Sequence, residues 1–225
     1  MRILLIRHGQ SEANVNGRIQ GPDDPLTELG REQAHTLAPY LAESYTIDHL
    51  IASSLHRAQE TARIIASQTG NDIVADARFR EIDNGHSIGM LWSDWRAANP
   101  EMSAVWGWDV RHADAGWPGG ECGRDVCNRS FAAFDEIITN YVDTDKTVAV
   151  VSHGGVIAWL AARLYGDSLE TWPAAYGDIA NCSVTEIAVN DAGQANIVAW
   201  NRTDYLGDTY APHISPVIPG RGGNA

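Results

Sequence analysis

Residues 3–12 read I-L-L-I-R-H-G-Q-S-E, and the reading of this stretch decides the fold. Four apolar residues, Ile3 to Ile6, end abruptly at Arg7 and His8, and Gly9 then turns the backbone. A short continuous apolar run bounded by a turn signal is the pattern of a strand buried on both faces. Such a strand delivers Arg7 and His8 side by side to its carboxyl end, where ligands bind in open α/β sheets. An arginine next to a histidine suits phosphate chemistry. The guanidinium grips two oxygens in a fork, and a neutral imidazole can attack phosphorus. One R-H-G tripeptide recurs by chance, so other segments have to supply the missing charges.

Outward from this strand, strand-like and helix-like segments alternate. A polar loop, N-V-N-G-R-I-Q-G-P-D-D-P, follows. Thr27 then caps a helix that puts Ala34, Leu37, Ala38 and Leu41 on one face. His49 to Ala52 reads as a second strand. Ser53 or Ser54 caps a helix with Leu55, Ala58, Ala62 and Ile65 inward, and a weaker third strand lies near Asp72 to Ala75. A long helix spans roughly Arg124 to Tyr141. Thr147 to Val151 is the clearest buried strand, and it runs into S-H-G-G and a helix with Val156, Ile157, Leu160, Ala161 and Leu164. Val184 to Val189 and Ala195 to Trp200 flank N-D-A-G as a hairpin. This order predicts a mostly parallel open sheet with helices on both faces, a three-layer α/β/α fold. We read residues 1–225 as a single domain. Residues 86–121 break the rhythm and hold five of the eight tryptophans, Trp92, Trp95, Trp106, Trp108 and Trp117. They read as a helical, lid-like insert whose tryptophans suit a bulky or partly apolar leaving group, or else simply pack on the body. After Asn201 the chain is rich in Pro and Gly and is expected to be irregular.

Composition excludes several classes of function. With 29 acidic against 16 basic residues the formal charge is −13, which argues against nonspecific binding to nucleic acid or anionic membranes. No apolar run approaches the length of a membrane span, so we expect a cytoplasmic protein. Cys122, Cys127 and Cys182 are odd in number and lack C-x-x-C spacing. They read as reduced thiols, with neither a disulfide framework nor a zinc site.

Three strand-to-helix junctions carry the chemistry: Arg7 and His8 at the first, Arg57 in A-S-S-L-H-R-A-Q-E-T-A at the second, and His153 in V-V-S-H-G-G at the third. In a parallel sheet these junctions line one rim, where two arginines, two histidines and helix amino termini can converge on a dianion. Each residue also has a plainer alternative. Arg57 can pair with Glu60 or Glu28 on the surface, and His153 can be a hydrogen-bonded core histidine. Transfer of a phosphoryl group to histidine also needs a proton donor for the leaving oxygen. F-R-E-I-D-N-G offers Glu81, with Asp83 next to consider. A carboxyl beside a phosphate dianion is held protonated by like-charge repulsion. The alternative here is that Glu81 pairs with Arg78 or Arg80.

These segments together resemble the histidine phosphatase superfamily, the phosphoglycerate mutase-like group. The matching pieces are L-I-R-H-G-Q-S-E-A-N, P-L-T-E-L-G-R-E-Q-A, S-S-L-H-R-A-Q-E-T-A, R-E-I-D-N-G, P-G-G-E and V-V-S-H-G-G, in family order over most of residues 1–160, with N-C-S-V-T-E-I resembling a late strand. The resemblance implies that His8 is the phosphorylated nucleophile and that Arg7, Arg57 and His153 bind the transferring phosphoryl group; in the mechanism we expect, His153 is protonated. It further implies that Glu81 is acid and then base, that Asn14 and Gln20 touch phosphate, and that Gly154 offers a backbone N–H. It implies no metal and no cofactor. Two departures stand out. Ser87, Ile88 and Gly89 replace a tryptophan-glutamate-glycine step, and Glu60 replaces a glutamine, which we expect to be a surface change.

The function expected is a metal-independent phosphomonoesterase for small phosphorylated metabolites, acting through phosphohistidine, with no nucleic acid or membrane partner and a homodimer as the open assembly. A 2,3-bisphosphoglycerate-dependent phosphoglycerate mutase is the near alternative. Mutases in the family carry an adjacent arginine pair in the insert, whereas this chain has only Arg96 and Arg111, well separated. A noncatalytic phosphate-binding protein on the same fold is the other. A dinucleotide-binding protein is disfavoured because G-x-G-x-x-G does not follow the first strand.

Overall fold

Strand β1 (Arg2–Arg7) has Ile3 and Leu5 buried on one face and Leu4 and Ile6 on the other. Burial on both faces obliges the chain to supply two helical layers. A computed structural model of the protein describes residues 1–100, 113–170, 176 and 179–211. Along the chain β1 is followed by α1 (Glu12–Val15), α2 (Glu28–Ser44), β2 (His49–Ala52), α3 (His56–Thr69) and β3 (Ile73–Ala75). Then come α4 (Trp92–Ala98), α5 (Gly123–Tyr141), β4 (Thr147–Ser152), α6 (Gly154–Tyr165), β5 (Val184–Val189) and β6 (Ala195–Arg202). The sheet order is β3-β2-β4-β1-β5-β6. The first four strands run parallel, and β5 and β6 close one side as an antiparallel pair.

One layer is α2 and α3. Their Ala34, Leu37, Ala38, Leu41, Ala58, Ala62 and Ile65 pack on Leu4, Ile6, Ala149 and Val151. The other is α5 and α6, whose Val126, Phe134, Ile137, Val156 and Leu160 pack on Ile3, Leu5, Val148 and Val150. The helical faces recur every three or four residues while the strand faces alternate, so both sets of apolar residues are buried at once. The expected three-layer sheet is therefore present. Helices α3 and α6 stop at Gly70 and Gly166, each left-handed with φ of 74° and 75°, a conformation that costs glycine nothing.

Two local expectations change. Neither Ser53 nor Ser54 caps α3; the N-cap is Leu55, with no side-chain cap. Ser53 sits too early in the turn for that role, and its hydroxyl accepts from the Leu55 N–H instead (3.3 Å). In the polar loop after β1, whose first two residues end α1, Ile19 is buried. Glu60 is not a plain surface change. Its carboxylate accepts from the Leu26 N–H (3.1 Å) and pairs with Arg31 at 2.7 Å, fastening α3 to α2. At the far end β6 reaches Arg202, and Leu206 is buried in the core.

The turn after β1 is gripped by α2. Thr27 accepts from the Gly30 N–H at 2.9 Å as its N-cap, and its hydroxyl donates to the Gln10 side chain (2.9 Å). The backbones meet so closely that a Cβ on Gly30 would lie 2.0 Å from the Gln10 carbonyl oxygen, and one on Gly9 would lie 2.4 Å from the Gly30 oxygen. Alanine is the better helix former by about 1 kcal/mol, but here the clash is with rigid backbone. Gly30→Ala should therefore destabilise the protein by roughly 1–3 kcal/mol, read as a lower urea midpoint at unchanged slope. An unchanged or raised midpoint would mean that the two backbones are free to separate.

Candidate active site

Strand β4 lies between β2 and β1, so the three junctions singled out in the sequence are neighbours on one rim. Arg7 ends β1 opposite Ser152, and the His8 N–H donates to the Ser152 carbonyl at 3.0 Å. His153 follows β4 directly, and Arg57 stands in the first turn of α3 after β2. All four side chains are buried: Arg7 is 6%, His8 1%, Arg57 1% and His153 0% exposed. The two imidazole rings lie 5.0 Å apart between centroids.

The hydrogen bonds of His8 fix its tautomer. Nδ1 lies 2.6 Å from the Gly9 carbonyl oxygen, which can only accept, so Nδ1 carries the proton. Arg57 Nε–H points at Nε2 from 3.2 Å, so Nε2 presents its lone pair. His8 is thus a neutral imidazole whose far nitrogen is available as a nucleophile. Its backbone is held as well: Asn181 donates to the His8 carbonyl (3.0 Å), and the Gly9 N–H donates to Thr61 Oγ1 (3.1 Å). Arg7 is anchored by a hydrogen bond to the Ile179 carbonyl. Arg57 also donates to the Gly21 carbonyl at 2.9 Å. Burial pushes the Arg57 guanidinium down to about 10, only partly offset by Glu81 and Asp24, so it stays charged near neutrality.

His153 departs from the expected imidazolium. Burial lowers its pKa well below the usual imidazole value, and the charges of Arg57 and Arg7 lower it further. It is neutral near pH 7 unless an anion offsets those cations.

Glu81 pairs with neither Arg78 nor Arg80. Arg78 is taken by Asp76 and Glu136, while Glu81 accepts from the Gly155 N–H at 3.0 Å and from its own neighbour Ile82 (3.1 Å). Gly154, at the start of the same helix, lies beside the Arg7 guanidinium, 3.6 Å from Nε to the Cβ it would bear. The Glu81 segment is fixed from two sides. Ser152 donates to the Phe79 carbonyl (2.9 Å), and Arg129 of α5 donates to the carbonyls of Arg78, Arg80 and Glu81. Arg129 is itself clamped by Glu121 through two bonds of 2.8 Å. Asn14 and Gln20 meet at Ser11: Asn14 Oδ1 accepts from both the Ser11 N–H and hydroxyl, and Gln20 donates to that hydroxyl at 2.9 Å.

Sequence reading missed Ser11, Thr61, Arg129, Gly155 and Asn181. Gly155 stood in the quoted S-H-G-G and Ser11 in the opening decapeptide, so motifs could have flagged them. Nothing local distinguishes Arg129 from the other charges of a long helix. In the insert, Trp92, Trp95 and Trp117 form one cluster with Ile19, Met90 and Ile82. Trp106, Trp108, Arg111 and His112 lie outside the described residues. Among the described residues no three His, Cys, Asp or Glu side chains are placed to hold a metal ion.

The contact between Gly155 and Glu81 gives a test. A Cβ on Gly155 would stand 2.3 Å from Glu81 Oε1, so Gly155→Ala should push the carboxyl aside. Displacement of about 1 Å at a reacting group costs roughly 10²-fold in rate. The expected result is that loss in kcat with vanadate affinity changed little. Undiminished kcat would show that the Glu81 position does not matter.

Comparison with known proteins gives the family. The family model described as histidine phosphatase superfamily (branch 1) matches residues 3–203. A glucosyl-3-phosphoglycerate phosphatase from Mycolicibacterium vanbaalenii is 36% identical over 193 residues, 83% of this chain and 84% of the relative. A protein named probable phosphoglycerate mutase GpmB, from Salmonella choleraesuis, is 32% identical over 190 residues, with 83% and 84% covered. Among solved structures, mycobacterial glucosyl-3-phosphoglycerate phosphatase in complex with VO3 superposes with a TM-score of 0.79 at 32% identity, covering 90% of this chain and 99% of that one. With the family model matched over residues 3–203 and a relative 36% identical over most of both chains, this chain belongs to the histidine phosphatase superfamily.

Proposed function

We propose that the protein is a metal-independent phosphomonoesterase for small phosphorylated metabolites and that His8 carries the phosphoryl group. The observation that supports this most is the His8 tautomer: Nδ1 is committed to the Gly9 carbonyl, and Nε2 faces Arg57. Nε2 attacks phosphorus, the ester P–O bond breaks, and Glu81 gives its proton to the leaving oxygen. Water then attacks the phosphohistidine while Glu81 takes a proton from it. The P–N bond breaks and its electron pair returns to Nε2. Arg57 has to transfer its Nε–H from His8 to a phosphoryl oxygen as substrate enters, which frees the nucleophile at the moment it is needed. Arg7 and Arg57 meet the charge on the equatorial oxygens, and His153 donates a hydrogen bond to them. Asn14 and Gln20, which meet at Ser11, touch the phosphate, and Gly154 at the start of α6 offers it a backbone N–H.

In this reading residues 86–121 of the single domain form the lid, and the cluster of Trp92, Trp95 and Trp117 lends it a rigid apolar body. Glucosylated phosphoglycerate is the first substrate to test, since relatives at 34–36% identity bear that name. The same reading makes the enzyme cytoplasmic, as its three free cysteines support, and a homodimer, which light scattering of the purified protein checks. Phosphoglycerate mutase is the second reading, favoured by the GpmB relative. A mutase has to retain a strongly anionic bisphosphorylated intermediate, and a body of net charge −13 opposes that.

His8→Ala should abolish phosphate release from a panel of esters that includes glucosyl-3-phosphoglycerate, and vanadate should inhibit the wild type. Glu81→Gln should slow alkyl esters by roughly 10²–10⁴-fold, and p-nitrophenyl phosphate by less, because its leaving group departs without a proton. Equal losses for both would make Glu81 a binding residue. Rapid interconversion of 2- and 3-phosphoglycerate with little free phosphate would replace the phosphatase with the mutase.

A further inference from the structure

Ser53 has no part in capping α3, and the chemistry above does not use it. It is fully buried, at 0% exposure. Its Oγ lies 2.8 Å from His153 Nε2 and accepts the Leu55 N–H at 3.3 Å. The nearby Gln59 amide donates to the Ser53 carbonyl (2.8 Å) and leaves the hydroxyl alone. Among the described residues the acceptor within reach of the Ser53 O–H is therefore His153 Nε2. The other ring nitrogen, Nδ1, is buried with no hydrogen-bond partner among them.

Two proton arrangements fit these positions. In one, Ser53 donates to Nε2 and the ring proton sits on Nδ1. In the other, Nε2–H donates to Ser53. The Ser53 hydrogen then has no acceptor, and Nδ1 turns a lone pair toward the place where the site gathers negative charge. The second arrangement leaves a buried donor unsatisfied and adds repulsion to any bound anion.

We propose that Ser53 is a positioning residue that fixes His153 as the Nδ1–H tautomer, so that a neutral imidazole donates a hydrogen bond to a phosphoryl oxygen. The identity of the acceptor rests on the phosphatase reading; the tautomer does not. The groups facing His153 are Arg7 from β1, His8 just after it, Arg57 from α3, Glu81 against Gly155 of its own helix, and Arg129 from α5. The cations among them, with complete burial, oppose an imidazolium. A neutral imidazole can donate only from the nitrogen its tautomer protonates. The two histidines thus use one tautomer to opposite ends. His8 has its Nδ1–H pinned and offers the Nε2 lone pair, whereas His153 has Nε2 pinned and offers Nδ1–H.

Nitrogen NMR of the wild-type protein labelled with ¹⁵N-histidine, near pH 7, reads the tautomer directly. The His153 signals are assigned by their loss in His153→Asn. The expected spectrum has a protonated Nδ1 and an unprotonated Nε2 for His153. Ser53→Ala should shift that ring toward the Nε2–H form and lower kcat roughly 10–100-fold, with a smaller change in KM. His153→Asn, whose amide nitrogen falls where Nδ1 was, should retain roughly tenfold more activity than His153→Gln, which places it at Nε2. A wild-type His153 that is Nε2–H, or doubly protonated, overturns the assignment even if Ser53→Ala fails to fold. So does a folded Ser53→Ala with unaltered tautomer and kcat. An Nδ1–H His153 in a protein that releases phosphate from no ester supports the assignment and overturns the proposed function instead.

Discussion

Two guanidinium groups and two imidazoles are buried side by side at one rim of the sheet, and this concentration of donors constrains everything around it. Burial of a charge costs several kcal/mol. Arg7 and Arg57 meet that cost in part through backbone carbonyls, those of Ile179 and Gly21. The downward pressure on Arg57 and His153 shows that compensation is incomplete. An incoming phosphate dianion supplies what the protein withholds, so the pocket is electrostatically organised around its substrate before the substrate arrives. The same imbalance keeps His153 neutral.

Holding like charges together demands a stiff frame, and the fold provides it by backbone contact. The sheet places β4 between β2 and β1, so three strand ends deliver their side chains within a few ångströms without a long loop. Glycines then remove the last obstacles. Gly9 and Gly30 bring the turn after β1 against α2, and Gly155 makes room for the Glu81 carboxyl. Glu81 sits on a segment without regular structure, yet Arg129 ties three of its carbonyls to α5. The Glu81 carboxyl is therefore held by a rigid helix, even though a loop carries it.

Much of this was legible in the sequence because it depends on local pattern. Ile3 to Ile6 and Thr147 to Val151 are apolar without interruption, which is possible only for strands covered on both faces. Arg7, His8, Arg57 and His153 fall at strand ends, and a parallel sheet brings such ends to one rim. Thr27 and Gly30 mark a helix start through a side chain and an N–H three residues apart. These features need no knowledge of distant partners.

What the sequence by itself determined, then, was the layered α/β sheet, its family motifs and the four buried cationic and imidazole side chains. Tertiary structure alone decided which partner each polar group takes. Glu60 reads as exposed until α2 brings Arg31 and the Leu26 N–H to it, and Ser53 reads as a cap until β4 sets His153 2.8 Å from its hydroxyl. Gly154 and Gly155 are indistinguishable as letters; only the helix start shows that one lies on Arg7 and the other faces Glu81. The proton state of His153 is of the same kind. Hydrogen-bond partners and desolvation are set by atoms far apart in the chain and within a few ångströms in space, and a linear pattern carries no record of those distances.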